Sequence, residues 1–412
     1  MRATTLLKKL LPFSRLVLNH VRFADDGSIV ARATIRGKPR CATCGIKRPI
    51  HQTEADPQRW RHQDLGCRRF YIESTVRRVA CDKCGTAAAE QVPWAPPVSR
   101  FTYHFEDVVT WLAQHTDQTA TCELMGIDWK TVGRLIKRVV DRRKDPVDLT
   151  DLRAISVDEI SFRKGHHYLT LVVDIEKGRV IWGKEGKSSE TLNTFFEEIG
   201  EEACAKIEHC AIDMGAAYIK SVKEKLPNAT MIFDRFHVQR LVSDAVDEVR
   251  REQWRATERG SDERKALRHT RYALLKNPWN LTPKQEGVLA TLQASNKDIY
   301  RAYLLKESFA DIFRHLYTVR TAHRKFTEWL SWASRSRLKP LVKAARTVKQ
   351  HFKGILAYFE TGYTTSMSEG FNNKARLVTR RAYGFHSADA FLAMIELTCP
   401  KIPIPLPRCT ST

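Results

Sequence analysis

"AISVDEISF", residues Ala154–Phe162, alternates apolar and polar side chains as a strand with one buried face does, and it carries two adjacent acids, Asp158 and Glu159. The segments after it decide how that strand is used. "HYLTLVVDI" (His167–Ile175) and "RVIWGK" (Arg179–Lys184) read as two more strands around "EKG", a hairpin turn. "SSETLNTFFEEIGEEA" (Ser188–Ala203) opens with serine caps followed by acidic residues and reads as a helix. "HCAIDM" (His209–Met214) is a short apolar strand, "GAAYIKSVKEKL" (Gly215–Leu226) a helix, and "ATMIFD" (Ala229–Asp234) a last strand. The order is therefore three strands, helix, strand, helix, strand.

That is the order of an RNase H-like core, in which the first and fourth strands are neighbours and a later helix can pack across them. Asp158 lies on the first strand and Asp213 ends the fourth. A third acid, Glu369, stands alone among basic residues in "SEGFNNKARLVTRRAYGF" (Ser368–Phe385), where one helix is expected from about Met367 to Val378. Each acid alone has an ordinary reading. One of Asp158 and Glu159 must face away from the site, Asp213 is placed to cap the helix that starts at Gly215, and Glu369 complements a helix dipole. Brought together, three carboxylates suit hard divalent cations, Mg2+ or Mn2+, of the kind that assist phosphodiester displacement. Lys374, Arg380 and Arg381 in the same stretch are candidates to grip a DNA backbone, and the roles of Asn372 and Asn373 are open.

The 412 residues carry 69 Lys and Arg against 47 Asp and Glu, a net charge of +22, with 42% hydrophobic and 28% charged residues. This is a globular composition, enough for roughly two to four domains. The excess charge favours nucleic acid ahead of an anionic membrane, and no apolar run reaches the roughly 20 residues that span a bilayer. "MRATTLLKKLLPFSRLVL" (Met1–Leu18) has Lys8 and Lys9 inside its apolar stretch and no small-residue cleavage site, so no signal peptide and a cytosolic, reducing location are expected. Cysteines there serve as metal ligands or buried thiols rather than disulfides.

"CATC" (Cys41, Cys44) and "CDKC" (Cys81, Cys84) are two CxxC pairs, each followed by glycine. Two such knuckles complete a four-thiolate site for structural Zn2+, with no open coordination position. The alternatives are four buried free cysteines or a redox pair. Cys67, His51 and His62 read as bystanders, and "RRFYIESTVRRVAC" (Arg68–Cys81) as a strand leading to the second knuckle.

"FEDVVTWLAQH" (Phe105–His115) precedes "TATCELMGIDWKTVGRLIKRVVDRR" (Thr119–Arg143), the pattern of a helix-turn-helix. Gly126 falls in the turn and Asp128 at the next N-cap. Val132, Leu135, Ile136, Val139 and Val140 keep helical spacing and face a core. Lys130, Thr131, Arg134, Lys137 and Arg138 are left on the outer face, suited to a major groove; the alternative is a plain three-helix bundle with a solvated basic face.

Proline-marked breaks at "QVPWAPPVSR" (Gln91–Arg100) and "DRRKDPVDLTDLR" (Asp141–Arg153) divide the chain. The expected fold class is multidomain α+β and α/β: a zinc-binding module at 1–92, a helix-turn-helix domain at 97–145, and an RNase H-like mixed sheet core at 150–240. An all-helical insertion follows at 241–360, then the C-terminal helix of the core at 361–400 and an irregular tail at 401–412. Trp254, Trp279, Trp329 and Trp332 of the insertion read as its core, with stacking on an unpaired base as the alternative.

Over nearly its whole length the chain resembles the bacterial insertion-sequence transposases of the ISL-three group, DDE enzymes with an N-terminal zinc finger. The resemblance rests on "CATCG", "CDKCG", "RWRHQDLG" (Arg59–Gly66), "VDEISFRKGHHYLTLVVD" (Val157–Asp174), "AIDMGAAYIKSVKEKLPNATMIFDRFHV" (Ala211–Val238) and "SEGFNNKARLVTRRAYGF". It implies that Asp158, Asp213 and Glu369 are a catalytic triad that cleaves phosphodiester bonds at the element's inverted-repeat ends. It also implies joining of the freed 3′-hydroxyls to target DNA. The implied partners are double-stranded DNA and at least one further copy of the chain, in the bacterial nucleoid and not at a membrane. "FDRFHV" (Phe233–Val238) adds Asp234, a candidate helix cap, and His237, a candidate positioning or proton-transfer group. Cys67 stands where a small residue is usual. The rival readings are a non-catalytic zinc and helix-turn-helix regulator and a structure-specific nuclease. Short inverted repeats flanking the coding region, bounded by direct duplications, would favour the transposase.

Overall fold

The computed structural model describes residues 3–406 apart from residues 12, 55, 85, 145, 147, 164, 166, 316, 365, 383, 386, 400 and 401; the side chains of residues 86, 263, 266 and 366–369 also lie outside it. The chain forms two units, Met1–Lys144 with Arg380–Thr412, and Asp145–Thr379.

The first unit starts with α1 (Ala3–Leu10) and β1 (Leu16–Phe23), β2 (Ile29–Ile35), β3 (Ile50–Thr53), β4 (Gln58–Leu65), β5 (Arg68–Ser74), β6 (Arg77–Cys81) and β7 (Thr86–Ala89). Four strands pair in the order β1-β2-β5-β4 and three in the order β3-β6-β7. Alternate residues Ala31, Ala33 and Ile35 of β2 point into a core with Trp60, Phe70, Ile72 and Trp94. The stretch Arg68–Cys81 is thus two strands in two sheets, not the single strand expected. The chain changes sheets around Thr75 and Val76, and Val76 packs into the four-stranded core.

Three capped helices follow: α2 (Tyr103–His115), α3 (Gln118–Met125) and α4 (Trp129–Arg143). Thr102, Asp117 and Asp128 each accept a backbone N–H of the first turn, and Gly126 ends α3 at φ 57°, a left-handed conformation that glycine adopts without strain. The five apolar residues expected to face the core from α4 are all buried.

The second unit opens with β8 (Ala154–Arg163), β9 (His167–Asp174), β10 (Arg179–Glu185), α5 (Ser189–Ile199), α6 (Glu201–Lys206), β11 (His209–Ile212), α7 (Ala216–Lys225) and β12 (Thr230–Phe233). The sheet order is β10-β9-β8-β11-β12, antiparallel up to β8 and parallel from β8 to β12. This is the RNase H-like arrangement, with first and fourth strands side by side. Ser188–Ala203 is not one helix: Gly200, at φ 81°, separates α5 from α6.

The all-helical stretch comprises α8 (Arg235–Ala256), α9 (Asp262–Ala266), α10 (Arg271–Leu275), α11 (Pro283–Ser295), α12 (Lys297–Arg314), α13 (Val319–Arg335), α14 (Lys339–Gln350) and α15 (Phe352–Thr361). Helix α15 returns to the sheet against β12. A Cβ at Gly354 would lie 2.5 Å from the Phe233 ring and 3.1 Å from the Met231 carbonyl oxygen, so that approach requires glycine. Helix α16 (Ser366–Arg381) follows, and α17 (Ala388–Thr398) belongs to the first unit, where it packs on α4. Residues 361–400 therefore hold two helices with different neighbours. Phe391, Ile395 and Leu397 make α17 too apolar to stand without such a partner.

Candidate active site

Strand β8 pairs with β11 as far as Ser156↔Ala211, so Asp158 and Asp213 each stand two residues beyond that last pair. Asp213 follows the C-terminal end of β11, and Asp158 lies on β8 just past the end of its pairing with that strand, where β8 continues only against β9. Asp213 Oδ1 accepts the Gly215 N–H at 2.8 Å, an Asx turn. A Cβ at Gly215 would fall 2.8 Å from that same oxygen, so the turn has no room for a side chain there. His237, on the first turn of α8, places Nδ1 3.9 Å from Asp213 Oδ2.

Asp234 occupies the N-cap position of α8, but its side chain makes no cap hydrogen bond, contrary to the capping role expected of it. It is 5% exposed and its Oδ1 has no hydrogen-bond partner. Its charge acts on Asp158 instead. Burial, reinforced by Asp234 and Asp213, pushes the Asp158 carboxyl up to about 6, against the opposing pull of the Glu159 N–H and of His237. Burial also raises Glu159, with Asp213 adding, while Tyr218, Lys187 and His237 oppose. Asp158, Asp213 and Asp234 thus lie near one another with few compensating charges, while Glu159, the next residue on the strand, faces Tyr218 on the other side. Carboxylate oxygens crowded in this way, with a buried acceptor left unpaired, fit a hard divalent cation.

Glu369 lies in α16, one turn before Asn372; its side chain lies outside the described residues. Asn372 reaches this group of acids, with Nδ2 donating to Asp158 Oδ2 at 2.6 Å. Sequence reasoning left Asn372 without a role, although its spacing of three from Glu369 puts both on one side of a helix. Lys374, Arg376, Arg380 and Arg381 are exposed.

Of the five residues expected on the outer face of α4, Lys130, Arg134 and Lys137 are exposed. Thr131 is buried, with its hydroxyl donated to Asp128 Oδ2 at 2.6 Å. Arg138 is drawn inward by Glu106, a fully buried acid that also binds Arg142. Of the four tryptophans expected in the core, only Trp329 is buried, donating Nε1–H to Leu305 O; Trp254, Trp279 and Trp332 are exposed, the first two beneath the guanidinium groups of Arg264 and Arg314.

Cys41, Cys44, Cys81 and Cys84 bring their sulfurs within 4.8 Å of one another. Cys41 to Cys84 is 4.0 Å and Cys44 to Cys81 3.6 Å. Four thiolates at a Zn–S distance of about 2.3 Å would stand roughly 3.8 Å apart, so the cluster suits zinc. Burial works against ionisation of Cys81, yet the Cys84 N–H and the neighbouring thiols bring it down to about 6. Gly45, at φ 70°, makes the first knuckle by donating N–H to Cys41 O; Gly85 of the second lies outside the described residues. Cys67 and His51 are exposed, and buried His62 bonds Thr102, so none of the three joins the cluster.

An RNase H-like sheet bearing acids, in one chain with a helix-turn-helix, is the equipment of a transposase. Residues 155–395 match a family model described as transposase, and residues 90–140 the model for the helix-turn-helix domain of transposase family ISL3. The chain is 36% identical to the transposase for insertion sequence element IS1557 of Mycobacterium tuberculosis, over 97% of this chain and 96% of that one. It is 28% identical to the transposase for insertion sequence element IS1001 of Bordetella parapertussis, over 87% and 88% of the two chains. The chain belongs to the ISL3 family of insertion-sequence transposases.

Proposed function

We propose that the protein cleaves phosphodiester bonds at the terminal inverted repeats of its own insertion sequence and joins the 3′-hydroxyl ends to target DNA. The observation that carries this is the placement of Asp158 and Asp213 two residues beyond the last pair of adjacent parallel strands, with Asp158 buried and its carboxyl raised chiefly by that burial. Asp158, Asp213 and Glu369 are the residues that would hold Mg2+ or Mn2+. Bound there, such ions supply charge stabilisation to the attacking and leaving oxygens of an in-line displacement. His237 stands beside Asp213, placed to orient a water or move a proton at the scissile phosphate. Lys374, Arg380 and Arg381 grip the DNA backbone near the cleavage point.

The N-terminal 1–92 and 97–145 modules read the element ends, through Lys130, Arg134 and Lys137 on α4. Zn2+ on the four cysteines holds the first of these modules together. Two ends must be brought together for strand transfer, so the working form is at least a homodimer, acting on DNA in the bacterial cytoplasm. No helix among the described residues is long and apolar enough to cross a membrane.

The test is Asp213→Asn in the full chain. The amide keeps the oxygen that accepts the Gly215 N–H and removes the charge. Binding to a duplex carrying the inverted repeat is expected to persist and end cleavage to be abolished. Cleavage at the wild-type rate would overturn the assignment.

A further inference from the structure

We infer that Asn372 is the positioning residue of the acidic crevice: it fixes the direction in which Asp158 presents its carboxylate and ties α16 to the sheet at that point. The inference rests on the reading of Asp158 as a catalytic acid. Asp158 comes from an interior strand, and its backbone is paired with Leu171 of β9 just beyond the last β8–β11 pair. Its Oδ1 accepts the Glu159 N–H at 2.7 Å and its Oδ2 accepts Asn372 Nδ2 at 2.6 Å. One donor per oxygen sets the plane of the carboxylate and leaves the remaining lone pairs free for other partners. The first donor is supplied by the strand itself and would serve any acid at this position. The second comes from α16, 214 residues further along the chain, and exists only when that helix is seated.

The amide orientation follows from the chemistry. An ionised carboxylate accepts and cannot donate, so Asn372 must turn its NH2 toward Asp158. Its Oδ1 is then left over. Asn372 is 4% exposed and that Oδ1 has no hydrogen-bond partner. Asp234 Oδ1, from the start of α8, is buried and unpartnered as well. Two buried acceptors without donors, one on Asp158's direct partner and one on an acid whose field reaches Asp158, leave this crevice short of positive charge. A cation bound among these acids would supply the missing charge. Asn372 thus holds the carboxylate with one end of its amide and keeps acceptor capacity at the other.

The test uses the full chain with three variants of Asn372 and one of Asp158. Readouts are cleavage of an inverted-repeat duplex, binding of that duplex, Mn2+ binding followed by electron paramagnetic resonance, and the melting temperature. Asn372→Leu keeps the volume and removes donor and acceptor. It is expected to bind the duplex as wild type does, cleave about 100-fold more slowly and bind Mn2+ about tenfold more weakly, the scale on which lost outer partners act at metal sites. Asn372→Asp, the closest match in shape, opposes two acceptors and is expected to cleave at least as poorly. Asn372→His restores an N–H near the amide nitrogen's position and is expected to return cleavage to within about tenfold of wild type.

Wild-type cleavage and Mn2+ binding by Asn372→Leu would overturn the inference. If Asn372→Leu fails to fold, the His variant decides: a folded Asn372→His that cleaves no faster than Asn372→Asp overturns it too. Asp158→Asn runs in parallel. Should that variant still cleave, the reading of the site fails, whatever Asn372 does.

Discussion

His237 Nδ1 lies 3.9 Å from Asp213 Oδ2, on the side of the carboxylate that the Gly215 N–H leaves free. The imidazole is partly exposed at the head of α8 while its acid partner is anchored by the turn after β11. An imidazole held this way can orient a nucleophile or carry a proton, a role that typically contributes about 100-fold or more where the proton transfer is full general catalysis and less where it only positions water. His237→Gln is expected to bind end DNA normally and to cut single-turnover cleavage by roughly 10- to 100-fold. Unchanged cleavage would leave His237 as a surface residue.

Asp158 has a stability consequence with a definite sign. Its folded value is about 6, above the ordinary carboxylate value of 3.8, so the folded protein holds this proton more tightly than the unfolded chain does. Stability from this group is fully present below about pH 4 and is lost as pH rises through 6. Above that, the ionised carboxylate is a net cost of about 2 to 3 kcal/mol. Asp158→Asn removes the charge, and a turn of the Asn372 amide lets its Oδ1 accept from the new NH2. The variant is expected to be inactive yet more stable than wild type at pH 7 to 8 by about 2 kcal/mol, with the advantage gone near pH 4. Urea midpoints across that range check it. A variant less stable at pH 8 than wild type would show that the shift has another origin.

The sheet was legible because its strands are short apolar runs set apart by turn residues and a helix opening at the Ser188 cap, so strand order alone placed Asp158 beside Asp213. Other features left no local mark. Gly200 sits in a run of good helix formers, and only its backbone angle divides α5 from α6. Thr131 and Arg138 fall at the edge of the polar face of α4 by periodicity, but Asp128 and the buried Glu106 pull them in. No pattern in a sequence reports that an acid 32 residues upstream is buried. The same holds for Asn372, whose partner lies on a strand folded long before it in chain order.

That difference on α4 separates two kinds of arginine. Arg134 is exposed near the start of the helix, where a groove-reading residue belongs. Arg138 is committed to Glu106, whose side chain is fully buried. Arg134→Ala is expected to weaken end-DNA binding by about 1 to 3 kcal/mol and relax sequence preference, with no change in melting temperature. Arg138→Ala is expected to lower stability by about 1 to 2 kcal/mol, because Arg142 still pairs with Glu106, and to change binding little. Parallel binding titrations and thermal melts decide. If both variants lose binding alone, the whole outer face contacts DNA.

The four-cysteine cluster makes the last prediction. Its buried core is small: Cys41, Val79 and Cys81, with Cys44, Cys84 and Ala88 packed around them. A three-stranded sheet with so little apolar burial depends on a further constraint for its stability. Zinc bound by thiolates supplies that constraint, since metal binding free energy becomes folding free energy. Purified protein is expected to contain one zinc per chain, released on chelation together with loss of inverted-repeat binding, while Cys44→Ser reproduces both effects. The RNase H-like sheet, which has a core of its own, should keep its melting transition after chelation. Active protein free of bound zinc would rule out a structural metal here.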